Sequence, residues 1–141
     1  MSIPPRFTGR CLCGAVTYEC SAPPLGMVDC HCRDCQRAGG AGHSPSVIAA
    51  RDAFRVTSGE PRSFESPADS GNTARRWFCP RCGSPLYAAS SARPDFVAIR
   101  AGSLDDPSWF RATTAVFVES AQPWDPPDPN ALHIARDRPR Q

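Results

Sequence analysis

Apolar positions in this chain come in short bursts separated by turn-forming residues. In FTGRCLCGAVTYECSAPP, Val16, Tyr18 and Cys20 alternate with Thr17 and Glu19, the period of a strand with one buried face, and the run ends at Pro23 and Pro24. LGMVDCHCRDCQRAGGAG begins as a short apolar run and ends in glycines, which predicts a strand entering a loop with a helical turn over residues 34–38. SVIAARDAFRVTSGEPRSF predicts two short strands joined at Arg51 and Asp52, then a turn over residues 58–61. In ARRWFCPRCGSPLYAAS, two strand-like arms, RRWF and PLYAA, flank CPRCG, where Gly83 supplies the positive φ of a tight turn. DFVAIRAG and ATTAVFVES predict two more strands, separated by SLDDPSWF. The closing stretch IARDRPRQ is expected to fray, since few apolar residues anchor it. No internal repeat is present. The periods predict a mainly β domain of short antiparallel strands, arranged as a meander, with few or no long helices. The expected divisions are an N-terminal lead over residues 1–7, one domain over 8–125 and a Pro/Arg-rich tail over 126–141.

Composition sharpens this reading. The 141 residues suit one domain, and 16 prolines with 10 glycines favour many short segments over long helices. All 16 basic side chains are arginine. They are dispersed and leave a formal net charge of +2, which excludes a nucleic-acid footprint but leaves anionic carboxylates open as ligands. No window approaches the ~20 apolar residues of a membrane span, and the start, MSIPPRFTGR, lacks the apolar core of a signal peptide. A cytoplasmic protein without a membrane partner is expected. Its oligomeric state is not written in the sequence.

The cysteines then carry the chemistry. Among the 8, three clusters stand out: Cys11 and Cys13 as CxC, Cys30, Cys32 and Cys35 as CxCxxC, and Cys79 and Cys82 as CxxC. In a reducing compartment these are metal ligands rather than disulfides, and thiolates two or three residues apart converge on tetrahedral zinc. Spacing leaves two pairings open. One joins Cys32, Cys35, Cys79 and Cys82 in a single ribbon-like site. The other joins Cys11, Cys13, Cys79 and Cys82, so that Cys30, Cys32 and Cys35 hold a second ion with three ligands and an open fourth position, the arrangement of a catalytic zinc. Cys20 stands apart and is expected to be a buried strand thiol.

In order along the chain, GRCLCGAVTYEC, CHCRDCQRAGG, FRVTSGE, RRWFCPRCGSPLY, AGSLDDPSWF and VFVESAQPW resemble the glutathione-dependent formaldehyde-activating enzyme family, which includes centromere protein V-like members. The resemblance implies a zinc-containing β-tent fold. It implies two zinc ions per chain, one structural on Cys11, Cys13, Cys79 and Cys82 and one catalytic on Cys30, Cys32 and Cys35. It also implies a carbon-sulfur lyase that condenses glutathione with formaldehyde to S-hydroxymethylglutathione, with the thiol activated at the open zinc. Two rivals remain: a binding module whose zinc ions only hold the fold, and a carrier of the preformed adduct. The module requires a fourth protein ligand at the three-cysteine ion, with His43 or Cys20 as candidates.

For the proton step the sequence offers His31, Asp34, His43, Glu60 and Glu65, with no basis for choosing a general acid. His31, between two ligands, is expected to point away from the metal into a supporting or surface position, and His43 to occupy a glycine-rich loop. Arg33, Arg37, Arg75 and Arg76 are the candidate partners for the glutathione carboxylates. Trp77, Phe78 and Trp109 are expected to pack the sheet core, and Trp124 to cover an end of the sheet. The glycines of QRAGGAG replace the SG that commonly follows the family's CHCxxC, so Gly39 lacks a hydroxyl at that position.

Overall fold

The computed structural model describes residues 2–68 and 71–136. In chain order the strands are β1 (Phe7–Arg10), β2 (Thr17–Cys20), β3 (Gly26–Cys30), β4 (Ser44–Ala50), β5 (Phe54–Ser58), β6 (Arg62–Pro67), β7 (Thr73–Phe78), β8 (Pro85–Ser90), β9 (Phe96–Arg100), β10 (Thr114–Val116) and β11 (Leu132–His133), with a helix α1 (Arg33–Gly39) after β3. They form a three-stranded sheet, β1-β2-β5, and an eight-stranded sheet, β11-β10-β3-β4-β9-β8-β7-β6. The fold is mainly β, as the periodicity predicts. No helix among the described residues is long and apolar enough to cross a membrane.

The differences from the sequence reading are ones of pairing. A simple meander is not formed: β4 and β5 are consecutive but enter different sheets, and β4 pairs instead with β9, Val47 opposite Ile99. Strands β1, β6 and β11 carry too little alternation to have been predicted. Two pairings are parallel, β10 beside β3 and β11 beside β10. The expected helical turn is a helix of 7 residues, its first turn closed by Cys32 Sγ accepting from the Cys35 N–H and its end by Gly40 at φ 78°. Of the stretch expected to fray, residues 134–136 hydrogen bond to the β10 segment, with Ile134 N–H donating to Ala115 O and Phe117 N–H to Arg136 O. Residues 137–141 lie outside the described residues.

The period of two gives the large sheet unlike faces. One face presents Met27, Val47, Ala49, Val97 and Ile99, all buried, to the small sheet with its Phe7, Tyr18 and Cys20. Val47 and Ile99 are wholly buried, each worth about 1.5–3 kcal/mol. An aromatic chain crosses the interface: Tyr18 to Phe54 at 5.4 Å, Phe54 to Tyr87 at 4.6 Å and Tyr87 to Trp77 at 4.7 Å between ring centroids. On the opposite face, strand register aligns Cys30 with Ser44, Ser46 with Arg100, Ala98 with Ala88 and Ala88 with Arg76. Alanine and serine leave that face hollow, and the cysteine and arginines border the hollow.

Candidate metal centres

Two turns bring four cysteines together. In the β1–β2 loop, Gly14 N–H donates to Cys11 O at 3.1 Å and Val16 N–H to Cys11 Sγ at 3.3 Å. In the β7–β8 turn, Gly83, at φ 78°, donates to Cys79 O at 2.8 Å, and Cys79 N–H to Ser84 O at 3.0 Å. Leu12 N–H donates to Ser84 Oγ at 3.0 Å and joins the two loops. The sulfurs of Cys11, Cys13, Cys79 and Cys82 all lie within 4.8 Å of one another, with Cys11 to Cys13 at 3.7 Å and Cys13 to Cys79 at 3.8 Å. Four thiolates around zinc at about 2.3 Å stand about 3.8 Å apart, so the donor set and its spacing fit that ion. The Ser84 hydroxyl, then the Cys13 and Ser84 backbone, pull the Cys82 thiol down to about 5. A thiol so shifted is a thiolate at neutral pH, the state a metal ligand requires.

The second group is built where β3 runs into α1. Cys30 ends the strand, Cys32 caps the helix and Cys35 lies in its first turn. Their sulfurs also lie within 4.8 Å of one another, and among the described residues no fourth Cys, His, Asp or Glu shares that radius with all three. Three thiolates so placed fit a metal with three protein ligands. Gln36 fixes the junction, its amide donating to His31 O at 2.8 Å and to Ser120 O at 3.0 Å. Hydrogen bonding from Cys30 and Cys32 pulls the Cys35 thiol far below the usual range, and the charges of Arg100 and Arg76 add to the effect. Hydrogen bonding to Cys32 and Cys35, together with burial, pushes Cys30 the other way. Within the trio, Cys35 is thus the thiol whose charged form its surroundings favour.

Cys30 and Cys35 open into a cavity of about 200 Å³ on the hollow face, lined also by Ser46, Arg76, Arg100 and Phe117. Arg100 Nη1 donates to Ser46 Oγ at 2.5 Å and Arg76 Nη1 to Ser66 Oγ at 3.3 Å, while Arg76 Nε is buried without a hydrogen-bond partner. Burial lowers the Arg100 pKa and the neighbouring Cys35 charge raises it. A guanidinium remains charged throughout. Phe117 forms an apolar wall and has φ 56° and ψ 37°, a left-handed conformation that costs a non-glycine residue about 1–2 kcal/mol. The hydrogen bonds from its N–H to Arg136 O and from Ser120 N–H to its carbonyl hold it there. A larger cavity of about 530 Å³, lined by Arg10, Leu12, His43 and Asp105, contains none of the three cysteines.

The remaining predicted residues are placed as follows. Arg33, Asp34 and Arg37 are exposed on α1, and Glu60 and Glu65 are exposed, Glu65 pairing with Arg75 at 3.1 Å. Of the four arginines predicted for substrate, only Arg76 lines the cysteine cavity. His31 does not join the three cysteines and is buried. Burial pushes its imidazole down and the Asp29 carboxyl up, each toward its neutral form. His43 is half-buried against Asp125 and does not join the three cysteines; nor does Cys20, which is buried in the small sheet and donates to Ala22 O. Trp109 packs in the core against Phe7, Trp77 and Phe78 are partly buried, and Trp124 is 70% exposed. A Cβ on Gly39 would meet only Ser44 Oγ, at 3.8 Å. Arg100, Ser46 and Phe117 were not singled out by the sequence. The available signal was register: Ser46 and Arg100 fall on the same alternation as Cys30 once β4 is paired with both β3 and β9.

A crystal structure of a Rhodobacter sphaeroides protein matches this chain with a TM-score of 0.57 at 24% sequence identity, covering 70% of this chain and 87% of that one. That likeness is one of fold. The protein-family model described as glutathione-dependent formaldehyde-activating enzyme matches residues 6–120, a span containing all seven clustered cysteines. The chain therefore belongs to the glutathione-dependent formaldehyde-activating enzyme family.

Proposed function

We propose that this protein adds the thiol of glutathione to formaldehyde, forming S-hydroxymethylglutathione, at the cavity into which Cys30 and Cys35 of the three-cysteine group open. In this reading those three cysteines hold a catalytic zinc with one position open, and Cys11, Cys13, Cys79 and Cys82 hold a structural zinc. The observation that carries the reading is a three-thiolate group without a fourth protein ligand, facing a cavity that also contains two arginines. Zinc held by Cys30, Cys32 and Cys35 would lower the pKa of a substrate thiol and supply a thiolate nucleophile at neutral pH.

The chain's own groups bind and orient. Arg100, braced by Ser46, and Arg76, with an unpartnered Nε, receive a substrate carboxylate through charge-assisted hydrogen bonds. Ala88 and Ala98 line the cavity with small side chains, and Phe117 gives it an apolar wall. Positioning of sulfur against carbonyl carbon is the main contribution, since formaldehyde needs little further activation. In the reaction the thiol gives up its proton to water, a carbon–sulfur bond forms, the carbonyl π pair moves to oxygen, and that oxygen takes a proton. Neither His31, Asp34, His43, Glu60 nor Glu65 lines the cavity, so the proton comes from water.

The test is exchange spectroscopy by NMR on formaldehyde and its glutathione adduct. The zinc-loaded protein is expected to raise the exchange rate above the spontaneous one. An unchanged rate with metal bound at both cysteine groups would overturn the proposal.

A further inference from the structure

The cysteine groups leave one cluster of metal-ligating side chains unused. It lies away from Cys30, with Asp29 preceding that residue on the opposite face of β3 and His31 following the strand's last residue, its N–H donating to Val116 O at 3.0 Å. His43 immediately precedes β4, whose Ser44 pairs with Cys30, and Asp125 arrives from the segment after β10. One ligand atom from each of His31, His43 and Asp125 lies within 4.8 Å of the other two. His43 Nδ1 is 2.5 Å from Asp125 Oδ2, and its Nε2 is 3.7 Å from Asp29 Oδ1.

A histidine–aspartate ion pair accounts for only half of this arrangement. His31 is 1% exposed, and neither of its ring nitrogens has a hydrogen-bond partner, although its ring stacks on His43 with centroids 5.0 Å apart. Asp29 Oδ1 is likewise buried without a hydrogen bond. Buried polar groups are nearly always satisfied, and a buried histidine with both ring nitrogens unpartnered, within 4.8 Å of His43 and Asp125 ligand atoms, points to a missing partner. The loop is also shaped for the cluster: a Cβ on Gly42 would stand 2.3 Å from Asp125 Oδ2 and 2.8 Å from its Cγ, so the carboxylate is packed where only glycine leaves space.

We infer that His31, His43 and Asp125, with Asp29 beside them, form a third metal site that takes a divalent first-row transition ion, with zinc as the natural occupant. Two neutral imidazoles and the Asp125 carboxylate make a nitrogen–oxygen donor set suited to a divalent first-row ion. The cation gives a His31 nitrogen the partner it lacks. Two ligands of tetrahedral zinc stand about 3.3 Å apart, so His43 and Asp125 separate by less than ~1 Å on binding, a side-chain adjustment. The ion ties together the end of β3, the loop before β4 and the segment after β10. These residues act on Cys30 only through the backbone, as positioning residues.

The test counts metal on the full chain dialysed against micromolar free Zn²⁺. The unmodified protein is expected to carry one more zinc than the His43→Ala/Asp125→Asn double variant. Thiolate-to-cobalt absorption of the cobalt-loaded proteins, which reports only the cysteine sites, is expected to be the same in both. Equal zinc content would overturn the inference. A second measurement needs no variant: with the cysteine groups already loaded, added Zn²⁺ is expected to shift the ring nitrogen resonances of His31 and His43 in long-range ¹H–¹⁵N spectra. Unmoved resonances would equally overturn it.

Discussion

Gln36 is the side chain on which the geometry of the three-cysteine group depends most directly. It is 5% exposed; its amide nitrogen donates to His31 O and Ser120 O, and its oxygen accepts from Gln122 Nε2 at 3.1 Å and from Arg33. Gln36→Leu keeps most of the volume and removes all four bonds. The His31 carbonyl, beside a buried ring, loses its partner at about 1–3 kcal/mol, and the half-buried Ser120 carbonyl adds about 1 kcal/mol. Arg33 and Gln122 turn to solvent at little cost. The total is about 2–4 kcal/mol, or a fall in Tm of about 5–15 °C for a chain of this size. The metal should feel the change, because Cys35 rides on α1 while Cys30 ends β3. Zinc affinity at that group is expected to fall about tenfold or more, as when other supporting hydrogen bonds around ligands are lost. Gln36→Glu provides the control. Its carboxylate faces two carbonyl oxygens, so its folded-state pKa is raised; stability is retained below the unfolded carboxyl pKa and lost as pH rises through the folded one. Thermal denaturation by circular dichroism and zinc competition against a chelator measure both effects. A loss under about 1 kcal/mol in Gln36→Leu with unchanged zinc affinity would refute the assignment of Gln36 as the junction.

Arg100→Leu is expected to raise the apparent KM for the thiol about tenfold to a hundredfold with kcat little changed, corresponding to about 1.5–3 kcal/mol of charge-assisted binding. Steady-state kinetics decide this, and an unaltered KM counts against the arginine. Gly83→Ala and Gly59→Ala share a φ of 78°, but the new Cβ meets nothing within 4 Å at Gly83 and lies 2.2 Å from Ala15 O at Gly59. Denaturant titration should therefore show a loss of about 1–2 kcal/mol for the first and clearly more for the second; equal losses contradict the contact argument. Cys32→Ser is expected to abolish the proposed exchange activity while largely keeping the fold, whereas Cys82→Ser should cost about 3 kcal/mol or more through loss of the metal proposed for the four-cysteine group. Equal changes in Tm would remove that division of labour.

Local chemistry was legible in the sequence and long-range pairing was not. CPRCG announces its turn because Gly83 must take a positive φ between two strand-like arms, and the structure has φ 78° there. Val16, Tyr18 and Cys20 alternate as a half-buried strand and are buried. Spacing could not choose between cysteine pairings, since that choice depends on whether the β1–β2 loop reaches the β7–β8 turn, a contact across 72 positions made by Leu12 and Ser84. Arg100 was missed for the same reason. Nothing near it in sequence carries chemistry, and it meets Ser46 only when β4 bypasses β5 to pair with β9. Arg75 and Arg76 looked equivalent as neighbours in RRWF, yet alternation sends Arg75 outward to Glu65 and Arg76 into the cavity.

The parallel strand β10 explains how one short strand can serve two unlike environments. Cys30 is paired on one side with Ser44 and on the other with Val116, so its register is held from both edges. A slip of one residue would exchange the faces, putting Asp29 and His31 on the cavity side and Cys30 on that of His43. After Val116 the chain uses a left-handed residue, Phe117, to turn; the ring of that residue walls the cavity. The segment beyond it returns to the other face, where Ser120 O receives Gln36 and Asp125 reaches His43. Strain at Phe117 thus has a structural use. The same turn closes the cavity beside Cys30 and delivers the carboxylate that meets the histidines behind it, which links the shape of the cysteine site to the cluster on its reverse side.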